Sequence, residues 1–435
     1  MQNAHYANHA APSHDDHSEV APGEIAVGVV IGRASENFDF FVYGIASAMV
    51  FPHIFFPFLP RLEATLWSFV IFSLAFVARP FGTIISMWIQ RRWDRGTKLT
   101  ASLFLLGTCT CGIAFLPKYA EIGSLSIVLL ALFRIGQGLA LGGSWDGLPS
   151  LLQLNAPENK RGWYAMLGQL GAPAGFIVAA SLFAYLNSHL QETDFLDWGW
   201  RYPFFAAFAI NVVALFSRLR LVLTHEYERE LDEHELEPVA VVDLMRAKGR
   251  HVITGAAAAL ASYALFHIVT IFPLSWILLF SDQSVNEFLS IQIFGAVLAA
   301  CGIVVSGLIA DKVGRTRTLA VLAIAIAMFS GFAPTLLGAG HAGQDIFVLL
   351  GFILLGLSYG QAAGSTTANL GSKYRYSGAA LTSDLAWLIG AAFAPLVALG
   401  LCAHFGLTFV GVYLLSGAIC TLVALGINFY KKIPN

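Results

Sequence analysis

Gly32-Arg33-Ala34-Ser35-Glu36-Asn37-Phe38-Asp39-Phe40-Phe41-Val42-Tyr43-Gly44 places three charged side chains inside an apolar run long enough to cross a bilayer. One ionisable residue at the bilayer centre costs about 2.5–3.5 kcal/mol on insertion scales, so three within about two turns require partners or a water-filled cavity. A cluster of this kind marks a pathway through the membrane. The competing reading is a self-contained ion cluster, because Arg33 and Glu36, and Glu36 and Asp39, stand three residues apart and share a helix face. One cation leaves one of the two carboxylates without a partner in this helix.

The rest of the chain agrees with a membrane setting. Of 435 residues, 57% are hydrophobic and 12% charged, and the mean hydropathy is +0.69. Soluble domains carry about 25% charged residues, so the composition excludes an ordinary soluble protein. The net charge of −2 offers no solvent-facing basic domain, and nucleic acid is not an expected partner. Cys109, Cys111, Cys301, Cys402 and Cys420 all fall in or beside apolar runs without the spacing of a zinc site, so no metal is expected. Residues 1–24 are polar, contain His5, His9, His14 and His17, and lack the pattern of a cleaved signal; they read as a cytoplasmic tail.

Twelve apolar segments follow, near 25–49, 65–90, 98–117, 123–146, 161–187, 201–223, 251–281, 286–310, 317–338, 344–369, 377–402 and 407–430. Each is long enough to span as a helix, the form that satisfies every backbone group inside the bilayer. Basic residues fix the orientation. Arg91, Arg92, Arg95 and Lys98, then Lys160 and Arg161, then Lys312, Arg315 and Arg317, then Lys373 and Arg375 fall between segments on one side. With Arg218, Arg220, Arg229, Arg246, Lys248 and Arg250 centrally and Lys431 and Lys432 at the end, that side holds 19 of the 25 Lys and Arg; the other holds Arg61, Lys118 and Arg201. The positive-inside rule then makes both termini and the central loop cytoplasmic.

The central stretch of residues 224–250, acidic at its start, separates a half at 25–223 from a half at 251–430, with 431–435 as a short tail. Arg91-Arg92-Trp93-Asp94-Arg95-Gly96-Thr97-Lys98-Leu99 after the second segment has a counterpart after the eighth, Asp311-Lys312-Val313-Gly314-Arg315-Thr316-Arg317-Thr318-Leu319. Basic turns at matching places are what an internal duplication predicts.

These motifs resemble the major facilitator superfamily, and within it the metabolite:proton symporters that include alpha-ketoglutarate, citrate, shikimate and proline/betaine carriers. Asp311-Lys312-Val313-Gly314-Arg315 is similar to the superfamily's loop signature between helices 8 and 9. Glu36-Asn37-Phe38-Asp39-Phe40 with Tyr43-Gly44, Arg79-Pro80-Phe81-Gly82, and Arg134 with Gln137-Gly138, Gly142-Gly143 and Trp145 resemble the subfamily's elements in helices 1, 2 and 4. Ala156-Pro157 with Arg161-Gly162, Trp198-Gly199-Trp200-Arg201-Tyr202-Pro203-Phe204 and Arg375-Tyr376-Ser377-Gly378-Ala379 extend the likeness along nearly the whole chain. The chain also departs from the pattern. Arg91 replaces the loop carboxylate after helix 2, Ser144 a glutamate, Asp146 a glycine, Asp384 an asparagine and Arg33 an asparagine. The resemblance implies an all-α fold of twelve transmembrane helices in two pseudo-symmetric six-helix halves around a midplane cavity.

Such a carrier needs a substrate-binding charge and a group that gains and loses a proton. Arg33, Arg79 and Arg134 are the basic residues away from the membrane surfaces, and a guanidinium pairs a carboxylate through two parallel bonds. Arg134 is the leading expectation for that role, with Arg33 and Arg79 next; Arg79 has the alternatives of backbone carbonyls near Pro80 or pairing with Glu36. Glu36 and Asp39 are the expected proton-coupling pair, with Asp384 and His267 as further candidates; His267 reads first as a hydrogen-bonded packing histidine, with substrate contact or proton relay as the alternatives. Gln137, Tyr263, Tyr359, Gln361 and Trp387 are candidate substrate contacts, and Gln292, Ser365 and Thr366 could add polar surface. Asp146 is expected to form a cytoplasmic gate with Arg91, Arg92 or Arg95, with Asp311 and Arg315 at the matching turn.

The expected function is proton-driven import of a small organic anion, a mono-, di- or tricarboxylate, by a monomer in a bacterial-type inner membrane, with no cofactor. Uptake of a zwitterionic osmolyte such as proline or betaine, export of drugs or metabolites, and a non-transporting sensor are the alternatives. An embedded enzyme is not expected, because no H-E-x-x-H spacing occurs and Gly356-Leu357-Ser358-Tyr359-Gly360, though of G-x-S-x-G form, lies inside an apolar span and not at a strand-to-helix turn.

Overall fold

Among the residues described by the computed structural model (22–145, 147–154, 156–222, 237–365 and 370–430), twelve membrane-length helices follow one another. The expectations for both tails, most of the central loop, Asp146 and Thr366 lie outside these residues, as does that for the Ser365 side chain. We label the helices α1 (Pro22–Met49), α2 (Arg61–Arg92), α3 (Arg95–Ala114), α4 (Ser124–Gly143), α5 (Arg161–His189), α6 (Tyr202–Val222), α7 (Val241–Ala258, Leu260–Thr270 and Phe272–Phe280), α8 (Val285–Val313), α9 (Arg315–Gly338), α10 (Gly340–Ser365), α11 (Ser372–Ala386, Trp387–Ala391 and Ala394–Phe405) and α12 (Thr408–Tyr430). At about 1.5 Å per residue, the 28 residues of α1 reach across a hydrocarbon core about 30 Å thick.

Small residues set how closely the helices approach. A Cβ on Gly82 would lie 2.1 Å from the Leu139 carbonyl oxygen, one on Gly138 2.2 Å from that of Ala75, and one on Gly142 2.2 Å from that of Arg79. Only glycine permits this α2–α4 crossing, the small-residue packing that lipid-embedded helices use. The second half repeats the device between α8 and α10, where a Cβ on Gly356 would meet the Ala299 carbonyl at 2.2 Å. Duplication is thus legible in the packing as well as in the loops.

Three helices around the centre are interrupted, each next to a proline that lacks an N–H donor. In α5 a 3-10 turn at Gly168–Leu170 precedes Pro173; α7 breaks at Ile271 before Pro273; α11 makes a π-turn at Trp387–Ala391 before Pro395. Broken helices at membrane depth are tolerated where they line a cavity or are buried in protein. Gln292 on α8 shows how: its Nε2 donates to the carbonyls of Val269 (3.1 Å) and Thr270 (2.9 Å), and Val269 is the acceptor that Pro273 cannot serve. The idea that Gln292 adds polar surface to a cavity is therefore corrected. Its amide completes the backbone of α7.

The two halves touch at both ends. Away from the basic loops, Ser73 Oγ on α2 donates to the Ala392 carbonyl on α11 (2.8 Å), Asn187 on α5 donates to Asn286 on α8 (3.0 Å), and Gly44 admits the Ile271 side chain. Buried Phe51, Phe55, Trp200 and Phe204 pack edge-on or stacked beside this seam. At the basic end, Asp311 between α8 and α9 accepts from the backbone N–H of Gly162 (2.6 Å) and Trp163 (3.2 Å) in the first turn of α5. Those N–H groups have no acceptor within their own helix, so the opposite half caps it.

Candidate functional site

Between these seals lies a cavity of about 80 Å3 lined by parts of α1, α2, α4, α5, α7, α10 and α11 and by the segment after α4. Its charged wall belongs to the first half. Arg33 Nη1 donates to Glu36 Oε2 at 3.0 Å, and Arg218 Nη1 from α6 donates to Glu36 Oε1 at 2.8 Å. Arg33 also lies over the Trp145 ring, 5.4 Å from its centroid. Its opposite wall is aromatic, with Tyr263, Tyr359 and Trp387 facing Phe40, Phe76 and Tyr164.

Arg218 is a residue the sequence reading assigned to the cytoplasmic loop. It is buried within α6, and Gly32 makes room for it, since a Cβ there would stand 2.7 Å from Arg218 Nε. Apolar periodicity carries no signal that a basic residue in the last turns of a hydrophobic run turns back inward. A long aliphatic stem lets a terminal arginine do so.

Arg79 does not pair with Glu36. Its Nε donates to Asp384 Oδ1 on α11 at 2.7 Å, and Thr83 Oγ1, one turn further along α2, donates to Asp384 Oδ2. This ion pair crosses from one half to the other at the cavity wall, with Trp387 beside the guanidinium at 5.9 Å. Thr83, missed in the sequence reading, holds the second carboxylate oxygen.

Arg134 stands elsewhere. Its guanidinium is 1% exposed and lies over Tyr43 (3.9 Å), Phe72 (5.0 Å) and Phe40 (5.6 Å), and Nε donates to the Phe72 carbonyl at 3.1 Å. The close α2–α4 crossing turns Arg134 into its own half, behind the aromatic rings, so the expected cavity residue Arg134 does not line the cavity, whereas Arg33 and Arg79 do. Gln137 is corrected with it. Arg134 Nη1 donates to Gln137 Oε1 (3.0 Å), Gln137 Nε2 to Thr110 Oγ1 (2.9 Å), and Thr110 Oγ1 to Asp39 Oδ1 (2.8 Å). The chain ends on a carboxylate 2% exposed.

The carboxylates therefore divide. Glu36, Asp39 and Asp384 are the buried ones among the described residues, and Glu36 and Asp384 each hold a guanidinium while Asp39 is bonded to a neutral hydroxyl. Removing the charge of either ion-paired group strands a buried cation. Asp39 is the one whose charge is not fixed by a direct partner.

His267 is fully buried in a cage of Phe40 (5.1 Å, stacked), Phe72, Phe76, Phe266 and Trp387. Its Nδ1 lies 3.4 Å from Thr270 Oγ1, and its Nε2 has no hydrogen-bond partner among the described residues. Gln361 is not at the cavity: Nε2 donates to the Gly162 carbonyl (3.2 Å) and lies 3.4 Å from Ser306 Oγ, in the contact between α10, α8 and the start of α5. Close glycine packing draws that part of α10 against the neighbouring helices, so Gln361 is corrected from substrate contact to helix contact.

At the basic end, Arg91 and Arg92 are exposed, Arg95 is half-buried, and Asp94 caps α3 by accepting from Thr97 N at 2.7 Å. The bond between halves there is made by Lys98, which donates to the Trp145 carbonyl and to Tyr376 Oη of α11 (2.9 Å), while Tyr376 Oη donates to Gln90 Oε1 (2.9 Å). On the other flank Arg315 Nη2 donates to the Arg161 carbonyl at 3.2 Å.

Residues 25–248, just over half the chain, match the family model described as sugar (and other) transporter. The chain belongs to that family. It is 36% identical to the inner membrane metabolite transport protein YhjE of Escherichia coli (strain K12) over 408 residues, 92% of this chain and 93% of that one. It is 29% identical to the shikimate transporter of the same organism over 409 residues, 91% of each chain, and 26% identical to the proline/betaine transporter of Salmonella typhimurium over 375 residues, 82% of this chain and 74% of that one. The resemblance read from the sequence motifs is thus borne out. The family fold is also that of the crystal structure of the D-xylose-proton symporter, with a TM-score of 0.70, 17% identity, and 95% and 98% of the two chains covered. The expected major facilitator architecture is the one observed, in a multi-pass membrane protein.

Proposed function

We propose that this transporter-family protein is a proton-coupled symporter that imports a small organic anion across an inner membrane by alternating access. The observation that carries the reading is the cavity's charge. Among the described residues that line it, the cations Arg33 and Arg79 outnumber the one carboxylate, Glu36. A single carboxylate neutralises that excess, whereas a zwitterion does not. Arg33, half-exposed beside Trp145 and sharing Glu36 with Arg218, is the guanidinium best placed to take a second acceptor. Tyr263, Tyr359 and Trp387 then select shape.

Asp39 is the proton carrier of this reading. It can be protonated without breaking an ion pair, and its link through Thr110 and Gln137 to Arg134 gives its charge state a route into the packing of α3 and α4. In this reading the bonds of Asp311, Lys98 and Tyr376 act as the cytoplasmic gate, and the positive-inside count supports a cytoplasmic position for both termini. The relatives named for metabolite and shikimate transport support the choice of substrate class. The test is uptake into proteoliposomes under an imposed pH gradient, screened over carboxylates and osmolytes. Gradient-driven accumulation of a carboxylate is expected; flux that ignores the gradient, or accumulation of betaine alone, overturns the proposal.

A further inference from the structure

A second cavity lies outside the transport path. It has a volume of about 540 Å3 at the basic end, where the last turn of α2, the start of α7 and the start of α11 meet, and is lined by Arg91, Val239, Ala240, Asp243, Arg246 and Ala247, with Lys373 and Tyr374 closing it. Three cations on three different helices face it against one carboxylate, Asp243. Arg91 belongs to the first half, Arg246 and Lys373 to the second. All three are exposed, and none makes an ion pair among the described residues. Lys373 lies over the Tyr374 ring (5.6 Å), but three like charges against one carboxylate still repel, so an anion between them stabilises the arrangement.

The depth of the site says which anion. Trp88 and Trp93 on and just after α2, flanking Arg91, stack edge-to-face at 5.4 Å and are 53% and 59% exposed. Exposed tryptophans at a helix end sit at the headgroup level of a bilayer. The cavity's cations therefore stand where phosphodiesters are, with Val239, Ala240 and Ala247 offering apolar contact beneath.

We propose that this seam is a binding site for a phosphate-bearing anion, supplied by the headgroup of an acidic phospholipid in the leaflet at the basic end. Because the cations come from both halves, the bound headgroup ties the ends of α2, α7 and α11 together. It adds to the Lys98–Tyr376–Gln90 bonds that close the same side.

The purified full-length protein in detergent is titrated with short-chain phosphatidylglycerol, with phosphatidylcholine of equal chain length, and with inorganic phosphate. Binding is followed by native mass spectrometry and thermal unfolding. Phosphatidylglycerol should bind and raise the unfolding temperature. Each Lys or Arg near an anionic surface contributes roughly a fivefold gain in affinity, so the triple variant R91Q/R246Q/K373Q should lose about a hundredfold. K248Q/R250Q, on the same helix but not lining the cavity, should keep wild-type affinity. Should the triple variant fail to fold, Ala247→Trp fills the cavity with every charge in place and should give the same loss. Equal binding of phosphatidylcholine, or unchanged affinity in both cavity variants, overturns the site. Inorganic phosphate competing as strongly as the lipid overturns the lipid as its source.

Discussion

Asp384→Asn removes the charge that holds α2 to α11 across the cavity. In the wild type, Arg79 Nε reaches Asp384 Oδ1 at 2.7 Å, with side-chain exposures of 13% and 3%, and Thr83 takes the other oxygen. Breaking a buried pair by neutralising one partner costs about 3–5 kcal/mol, because the remaining charge is left uncompensated. The asparagine still accepts a hydrogen bond and Arg79 is partly wet, so the low end, about 3 kcal/mol, applies. The cost is borne only while α2 and α11 are in contact, so it shifts the closed-to-open equilibrium by about two powers of ten. Ser383→Cys, placed at the cavity wall in a background without the five native cysteines, reports the shift through maleimide labelling in inside-out vesicles. Labelling should accelerate strongly in Asp384→Asn and in Arg79→Gln. The double variant has no stranded charge and should recover much of the wild-type rate. Equal labelling in wild type and Asp384→Asn would refute the reasoning, and additive effects in the double variant would show that the pair does not act as one.

Asp39→Asn should abolish accumulation driven by a pH gradient while leaving substrate counterflow intact; loss of both to the same degree makes Asp39 structural. Arg218→Leu leaves Glu36 with Arg33 alone and should cost about 3 kcal/mol of stability, read as a lower unfolding temperature in detergent. Asp311→Asn weakens the cap on α5 by about 1 kcal/mol and should raise accessibility of the cavity from the basic end without touching substrate affinity. Asp94→Ala should cost about 1 kcal/mol at neutral pH. The Thr97 hydroxyl and N–H hold the Asp94 carboxyl below its ordinary value of 3.8, so the cap is fully present above that pH and is lost as pH falls through the lowered value. The variant's deficit should therefore be flat across pH 5–8; a deficit that changes in that range contradicts the assignment.

Helix α1 shows where sequence reasoning stops. Three charges in its apolar run, with one cation for two carboxylates, demanded a partner from another helix, and that demand was readable before any coordinates. The partner, Arg218, lies 182 residues away in sequence, and nothing in its neighbourhood distinguishes it from the loop arginines around it. Arg134 shows the converse. Its mid-helix position was legible, but which of its neighbours it faces depended on the glycine contact between α2 and α4. Gln292 and Gln361 looked like cavity residues because polar side chains in apolar helices all look alike in sequence. Whether the amide meets a proline-orphaned carbonyl or a substrate is a question of helix rotation.

The sequence by itself determined the twelve helices, their expected orientation, the duplicated basic turns and the family, because each follows from local hydrophobicity, charge and short motifs. Tertiary structure alone decided which carboxylate holds which guanidinium. Ion pairing depends on distances of a few ångströms between helices far apart in the chain, and these are set by how closely small residues let backbones approach. Only that packing separated Asp39, bonded to a hydroxyl, from Glu36 and Asp384, each held by arginine.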